Sequence, residues 1–333
     1  MSSSNLSNFL SEYELNTSVI NHRPRGLYAT KTNTYINAIV QALLHIPQFY
    51  NLMNDLREVL DETNQNLPIV RAFTKLANYD EDITEDERFL GADYYLLPKS
   101  AAMYLSGNFV ESEGVSRKFF NEDPMKYLVY LINAMNREMT SACEESNFVS
   151  PIKEIFRGTI EIKSNNHEVV DDSFIALPLD ISGDHITTLS EALNEYFKAD
   201  KPKESLNILP EVLILSVNLI GKDETGGLQK LVKTIYTSNE LEIPDAILSE
   251  EANNTYTSLQ KNYQLSSIIY HQGEDPHNPH HTVVVDHDNL GFLFFDGRTI
   301  VDLQKVDPSM LSPPDVNPYI LTFRGKDLSL IHI

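Results

Sequence analysis

Cysteine is nearly absent from this sequence, and its scarcity excludes two kinds of architecture. The 333 residues contain one cysteine, Cys143. A single thiol rules out an intrachain disulfide framework and any zinc site built from several cysteines. We therefore expect a protein of a reducing, intracellular compartment, either the cytoplasm or the nucleus.

Positive charge is also scarce. The chain has 26 Lys and Arg residues against 48 Asp and Glu, a formal net charge of −22. A surface that binds nucleic-acid phosphates needs net positive potential, so we expect no nucleic acid as partner. The acidic balance is compatible with a basic protein partner. No apolar run approaches the roughly 20 residues that span a bilayer, and residues 1–16 lack the pattern of a signal peptide, so we expect no membrane association.

The distribution of apolar residues predicts helices in the first half of the chain and strands in the second. Hydrophobic residues make up 41% of the sequence, which is ordinary for a globular protein. After about residue 155, β-branched and aromatic runs bounded by Pro, Gly, Asn and Asp predict strands. This order indicates an α+β fold, with a helical lobe packed against an antiparallel sheet. Residues 1–23 are polar and weakly patterned, and we predict a flexible N-terminal segment there.

Two helices are predicted with defined starts. In TNTYINAIVQALLHIP, the apolar residues follow a 3.6-residue period, Asn33 or Thr34 can cap the first turn, and Pro47 stops the helix. In EDPMKYLVYLINAMNREM, Asp123 can cap and Pro124 suits the first helical position. A helix N-terminus lowers the pKa of a thiol, which makes position 34 a suitable place for a nucleophilic cysteine. The residue there is threonine.

A predicted hairpin aligns two polar residues. In HTVVVDHDNLGFLFFDG, a turn with Asp288 and Asn289 as its central pair would place His281 opposite Asp296. Asp296 would then accept a hydrogen bond from one imidazole nitrogen and leave the other free, as in the base-and-orienter half of a catalytic triad. The alternative is a strand-end histidine and a turn aspartate that only solvate the sheet edge.

A histidine-rich segment, HQGEDPHNPHH, lies just before this hairpin. It carries four candidate metal ligands: His271, His277, His280 and His281. Metal ligands need fixed geometry, whereas this Pro- and Asp-rich stretch is typical of a mobile loop. We expect neither a metal nor another cofactor.

Several stretches together resemble the ubiquitin-specific proteases, papain-like cysteine peptidases that remove ubiquitin. The similar stretches are GLYATKTNTYINAIVQALLHIPQF, NEDPMKYLVYLINAM, LPEVLILSVNLI, YQLSSIIYHQG, PHHTVVV, FLFFDG and PYILTFR, in the order of the family's boxes. The resemblance implies a papain-like ubiquitin-specific-protease domain over residues 24–327, with a C-terminal tail over 328–333. It implies a helical thumb, a β-rich palm and reduced fingers, which lack the family's zinc-binding cysteines.

The resemblance also assigns roles to individual residues, and two positions are degenerate. Thr34 stands where the family has its nucleophilic cysteine, and Ala29 stands where it has the asparagine of the oxyanion hole. His281 and Asp296 take the positions of the base and its orienter. Three residues take positions that bind the ubiquitin tail: Asp123, Tyr35 and Gln41.

These changes predict a pseudoenzyme that binds ubiquitin, a ubiquitin-like modifier or a protein partner without efficient isopeptide hydrolysis. An alcohol is a far weaker nucleophile than a thiolate unless a positioned base activates it. Loss of an oxyanion donor costs roughly 10²–10³ in rate. Two alternatives remain open: an active deubiquitinating hydrolase with an atypical nucleophile, at Thr34 or at another group such as Cys143, and a structural interaction module that no longer binds ubiquitin.

Overall fold

The computed structural model describes most of the chain. The described residues are 2–20, 24–27, 34–60, 66–78, 123–143, 145, 147–163, 169–198, 203–222, 228–231, 233–273, 280–297, 299–303 and 316–326. The helices are α1 (Ser2–Glu12), α2 (Thr34–Leu44), α3 (Pro47–Asp55), α4 (Pro68–Ala77), α5 (Pro124–Ala142), α6 (Pro151–Phe156), α7 (Leu189–Lys198) and α8 (Glu250–Thr255). The strands are β1 (Gly158–Lys163), β2 (Val169–Phe174), β3 (Ala176–Asp180), β4 (Lys203–Ile208), β5 (Val212–Asn218), β6 (Ile220–Lys222), β7 (Leu228–Lys230), β8 (Glu240–Glu242), β9 (Asn262–Gln272), β10 (His280–His287), β11 (Gly291–Asp296), β12 (Thr299–Asp302) and β13 (Val316–Gly325).

The chain forms two compact units, and each contains segments from distant parts of the sequence. The first unit comprises Met1–Ile155 and His280–Gln304. The second comprises Phe156–Pro279 and Lys305–Ile333. None of the described helices is long and apolar enough to cross a membrane.

Both predicted helix starts in the first unit are confirmed. Helix α2 begins at Thr34 and all of its residues are buried, while Pro47 becomes the first residue of α3. Helix α5 begins at Pro124, and the Asp123 carboxylate accepts from the backbone N–H groups of Met125 (3.0 Å) and Lys126 (3.4 Å). Such a cap satisfies N–H groups that the first helical turn leaves unpaired.

The N-terminal segment, which was predicted to be flexible, contains a helix in the part that the structure describes. Ser2–Glu12 forms α1, in which Leu6 (1% exposed) and Leu10 (2% exposed) are buried. Two leucines four positions apart share one face of a helix, so a mostly polar sequence can still bury an apolar contact. Residues 13–20 follow α1 without regular secondary structure.

Helix α4 is capped from outside by a carboxylate of α5. Both Glu138 oxygens lie 3.1 Å from the Ile69 nitrogen, and one lies 2.9 Å from the Val70 nitrogen, at the start of α4. Burial raises the pKa of Glu138 to about 7, although these N–H groups and Arg137 act in the opposite direction. The folded state therefore holds a proton on Glu138 that the unfolded chain releases near the ordinary value of 4.5.

We expect Glu138→Gln to flatten part of the pH dependence of stability. Because the folded pKa is raised, the stability contributed by the protonated carboxyl is complete below about pH 4.5 and is lost as the pH rises through about 7. The free energy of unfolding of the wild type should fall by on the order of 2 kcal/mol relative to the variant across this window. Denaturant titrations from pH 5 to 8 measure it, with the exposed Glu145→Gln as matched control. Parallel pH curves for wild type and Glu138→Gln would contradict the assignment.

The strands of the first unit form an antiparallel ladder in the order β10, β11, β12. In the β10–β11 hairpin, Val283 pairs with Phe295 and His287 pairs with Gly291. The loop therefore comprises residues 288–290, and Gly291 follows it with a φ of +76°. The predicted two-residue turn is wrong, because a three-residue loop followed by a left-handed glycine connects these strands.

The second unit is built on strands in the order β9, β13, β5, β3, with β8 also paired to β9. Strand β3 runs parallel to β5, which departs from the predicted antiparallel sheet. A parallel pair needs a long crossover, and here the connection contains α7 and β4. This unit also contains a three-stranded sheet, β2-β1-β4, and a short β6–β7 hairpin.

Candidate functional site

Thr34, the residue at the predicted nucleophile position, lies at the first position of α2 and contacts β10. Its hydroxyl oxygen Oγ1 accepts a hydrogen bond from the backbone N–H of His281 at 3.3 Å. Thr34 is only 6% exposed. The hydroxyl therefore joins the start of α2 to the start of β10.

Asp296 hydrogen-bonds to His280 and not to His281. The His280 Nε2 atom lies 2.9 Å from the Asp296 Oδ1 atom, and both side chains are 41% exposed. A carboxylate only accepts hydrogen bonds, so Nε2 carries the donated proton. In the neutral ring the basic nitrogen is then Nδ1.

The predicted facing of His281 and Asp296 is wrong, and the hairpin register explains why. The observed pairing, Val283 with Phe295, continues to Thr282 opposite Asp296. Side chains alternate between the two faces of a strand, so His280 shares a face with Thr282 and lies diagonally across from Asp296. A shift of one residue moves His281 to the opposite face. There its side chain is 3% exposed.

The sequence contained a signal for the correct histidine. Gly291 follows Asp288-Asn289-Leu290, and a glycine in this place is typical of a three-residue hairpin loop. With a three-residue loop, Thr282 lies opposite Asp296, and side-chain alternation places His280 on the same face of the hairpin as Asp296. The assumption of a central Asp288–Asn289 pair led to the wrong neighbour.

The three residues assigned to the ubiquitin tail all make contacts within the first unit. The Asp123 carboxylate caps α5 and also lies 3.4 Å from the Lys126 ammonium. The buried Tyr35 ring packs edge to face against Tyr127, with centroids 5.4 Å apart. The Gln41 side-chain amide donates to the carbonyl of Arg25. Their role toward a tail stays a prediction, and Ala29 lies outside the described residues.

The remaining candidates are distributed over both units. Cys143 follows the last residue of α5, is buried, and lies 3.4 Å from the Ser7 hydroxyl of α1. His271 lies in β9, where burial and the nearby Lys230 ammonium lower its pKa to about 4. His277 lies outside the described residues. Among the described residues, no group of three or more His, Cys, Asp or Glu is placed to hold a metal ion.

Comparison with known proteins places the chain in a family. The family model described as ubiquitin carboxyl-terminal hydrolase matches residues 25–323. The chain belongs to this family. The likeness covers the helical elements from α2 onward and the strands of both units, so the predicted resemblance to ubiquitin-specific proteases is confirmed at the level of the family.

Relatives of this hydrolase family align over most of the chain at low identity. The mouse protein ubiquitin carboxyl-terminal hydrolase 10 is 26% identical over 388 residues, which cover 92% of this chain and 49% of the mouse protein. The fission yeast (Schizosaccharomyces pombe) protein probable ubiquitin carboxyl-terminal hydrolase 3 is 24% identical, over 87% of this chain and 70% of its own length. The chain thus spans about half the length of the mouse relative.

Solved structures show the same hydrolase fold. A chain of the SAGA Ubp8/Sgf11/Sus1/Sgf73 DUB module bound to ubiquitin aldehyde matches with a TM-score of 0.72 at 18% identity, over 91% of this chain and 70% of that chain. A chain of the module bound to monoubiquitin matches with a TM-score of 0.72 at 17% identity, over 91% and 69%. The predicted α+β, papain-like fold is therefore confirmed.

Proposed function

We propose that this chain is a non-catalytic member of the ubiquitin carboxyl-terminal hydrolase family that binds ubiquitin, a ubiquitin-like modifier or a protein partner. The proposal rests mainly on the residue at position 34 and on its hydrogen bond. An alcohol takes the place of the thiol, and its oxygen accepts the His281 backbone N–H at 3.3 Å. A hydroxyl used in this way contributes to the structure and is a poor nucleophile at neutral pH.

The chemistry of position 34 supports inactivity. A cysteine thiol begins near a pKa of 8.5 and is lowered further by a helix N-terminus and a nearby imidazole. A threonine hydroxyl needs a base to remove its proton during attack, and threonine nucleophiles obtain this from a free N-terminal amine, which an internal residue lacks. The β-methyl group of Thr34 also crowds the oxygen.

Retention of ubiquitin binding is supported by the His280–Asp296 pair and by the structural relatives. The pair is half-exposed, so a ligand can reach it from solvent. The structurally similar SAGA DUB module chains were solved with monoubiquitin and with ubiquitin aldehyde. These modules contain several different proteins, which supports a place for this chain in a complex, inside the cell.

A second candidate function is a structural interaction module that no longer binds ubiquitin. Burial of Thr34 and the internal contacts of Tyr35 and Gln41 favour it, because a tail needs access to these positions. The two candidates differ in one measurable property, which is affinity for ubiquitin.

We expect labelled ubiquitin to bind the unmodified chain and to remain intact. In an NMR titration followed for several hours, resonances of the ubiquitin C-terminal tail should shift. In a parallel assay, a fluorogenic ubiquitin substrate should not be cleaved. Thr34→Ala is the matched control, since it removes the hydroxyl and leaves the backbone N–H of His281 in place. Absence of shifts at high protein concentration would favour the interaction module. Turnover that Thr34→Ala abolishes would show that the chain is an active hydrolase.

A further inference from the structure

The first unit includes residues that precede the family domain. The family match begins at residue 25, whereas α1 and residues 13–20 belong to the described part of this unit. We name residues 13–20 the strap. The strap ends at Ile20, which is 2% exposed, so its last residue is buried as deeply as the core.

The strap is pinned to α3 by one side-chain amide. Asn51 Nδ2 donates to the carbonyl of Asn16 at 3.0 Å and to the carbonyl of Ser18 at 2.9 Å. Asn51 is 9% exposed. Asn16 and Ser18 are exposed, whereas the Asn51 amide is buried, so one buried donor holds two carbonyls of an otherwise mostly exposed segment.

The strap is also pinned to the loop of the β10–β11 hairpin. The Ile20 N–H donates to the Asp288 carboxylate at 3.4 Å, and Asn289 Nδ2 donates to the Ile20 carbonyl at 3.1 Å. Both backbone groups of one buried residue are therefore bonded to consecutive loop residues. This reciprocal pairing fixes the loop relative to the strap.

The opposite end of the hairpin is tied to the residues that follow the strap. The Leu27 N–H donates to the carbonyl of Gly297 at 2.9 Å, directly after Asp296. The Gln41 side chain of α2 donates to the carbonyl of Arg25. The hairpin is thus held at its loop by Ile20 and at the end of β11 by Leu27.

We propose that the strap positions the β10–β11 hairpin and through it the His280–Asp296 pair. The family domain supplies the hairpin and the helix that bears Thr34, and a segment outside that domain fixes the hairpin loop. The strap and Asn51 are positioning elements, since neither touches a reacting group. This role holds whether or not the site binds ubiquitin.

Hydrogen exchange of the intact chain tests the proposal. In Asn51→Ala, and in the double variant Asp288→Ala, Asn289→Ala, we expect amides of residues 283–287 to exchange at least about 10-fold faster. Asn54→Ala, at an exposed position of the same helix, is the matched control. Strand β5 of the second unit serves as an internal reference that should not change. Asp288→Asn keeps an acceptor for the Ile20 N–H and should preserve wild-type exchange.

The readout that separates positioning from general stability is the His280 ring. Its NMR signals should shift in Asn51→Ala and in the loop double variant, and stay in place in Asn54→Ala and Asp288→Asn. Faster exchange confined to residues 13–20, with the hairpin and the His280 signals unchanged, would overturn the proposal. So would a uniform increase over α2, α5 and the hairpin alike. If Asn51→Ala fails to fold, the loop variants decide the question, because they alter half-buried and exposed positions only.

Discussion

Thr34→Cys is expected to raise turnover of a fluorogenic ubiquitin substrate by about 10³-fold or more over the wild type. The substitution places a thiol at the first residue of α2, where the helix N-terminus favours the thiolate. The backbone N–H of His281 contacts Thr34. The residue before it, His280, carries the imidazole that is hydrogen-bonded to Asp296. A base, its orienter and a thiol would then be present in one unit.

The oxyanion position should limit this gain. Ala29 cannot donate a side-chain hydrogen bond to a tetrahedral intermediate, so Thr34→Cys, Ala29→Asn should be faster again by roughly 10²–10³. Thr34→Ser is the matched control, since it keeps a hydroxyl and removes only the β-methyl group. Cys143→Ser in the wild-type background tests whether the native thiol contributes any background rate.

Two outcomes would contradict the proposed function or the site geometry. Wild-type turnover that disappears in Thr34→Ala would show that threonine acts as a nucleophile. A double variant that binds ubiquitin yet does not turn over the fluorogenic substrate would contradict the expected pairing of His280 with a thiol at position 34. A slow but measurable rate in the double variant would support a channel that still admits a ubiquitin tail.

Local sequence signals predicted the helices and strands that carry the site, but they did not predict the register in which β10 pairs with β11. The start of α5 follows from Asp123 and Pro124, because caps and helix-first prolines act within one turn of the chain. The start of α2 follows from the 3.6-residue apolar period that begins there. Strand β11 was also located correctly from its aromatic run. The register between β10 and β11 depends on loop length, and one residue more or less changes which histidine meets Asp296.

Features that depend on tertiary packing were missed for a different reason. Helix α1 contributes two buried leucines from a segment that is otherwise polar, so its hydrophobic pattern is weak on its own. The parallel pairing of β3 with β5 could not be predicted from the alternation of apolar and polar residues. That alternation indicates which face of a strand is buried and does not indicate whether its neighbour runs parallel or antiparallel. The external cap that Glu138 gives to α4 joins positions 69 residues apart. Such contacts follow from the fold and cannot be read from a window of sequence.

The second large effect is expected from substitution of His280, whereas substitution of the adjacent His281 should leave turnover largely unchanged. In the Thr34→Cys background, with Cys143→Ser to leave a single thiol, His280→Ala should lower turnover by roughly 10²–10⁴. Loss of the imidazole removes both the proton acceptor and the positive charge that favours a thiolate, so the pKa of the introduced thiol should rise toward its ordinary value near 8.5. The pH profile of iodoacetamide alkylation measures this shift directly.

His281→Ala is the matched control at the adjacent position. Its side chain lies on the opposite face of β10 and is buried, so the expected result is a lower melting temperature with an alkylation profile close to that of the parent. Asp296→Asn should weaken the orientation of His280 and fall between the parent and His280→Ala. A profile that moves in His281→Ala and stays fixed in His280→Ala would restore His281 as the base.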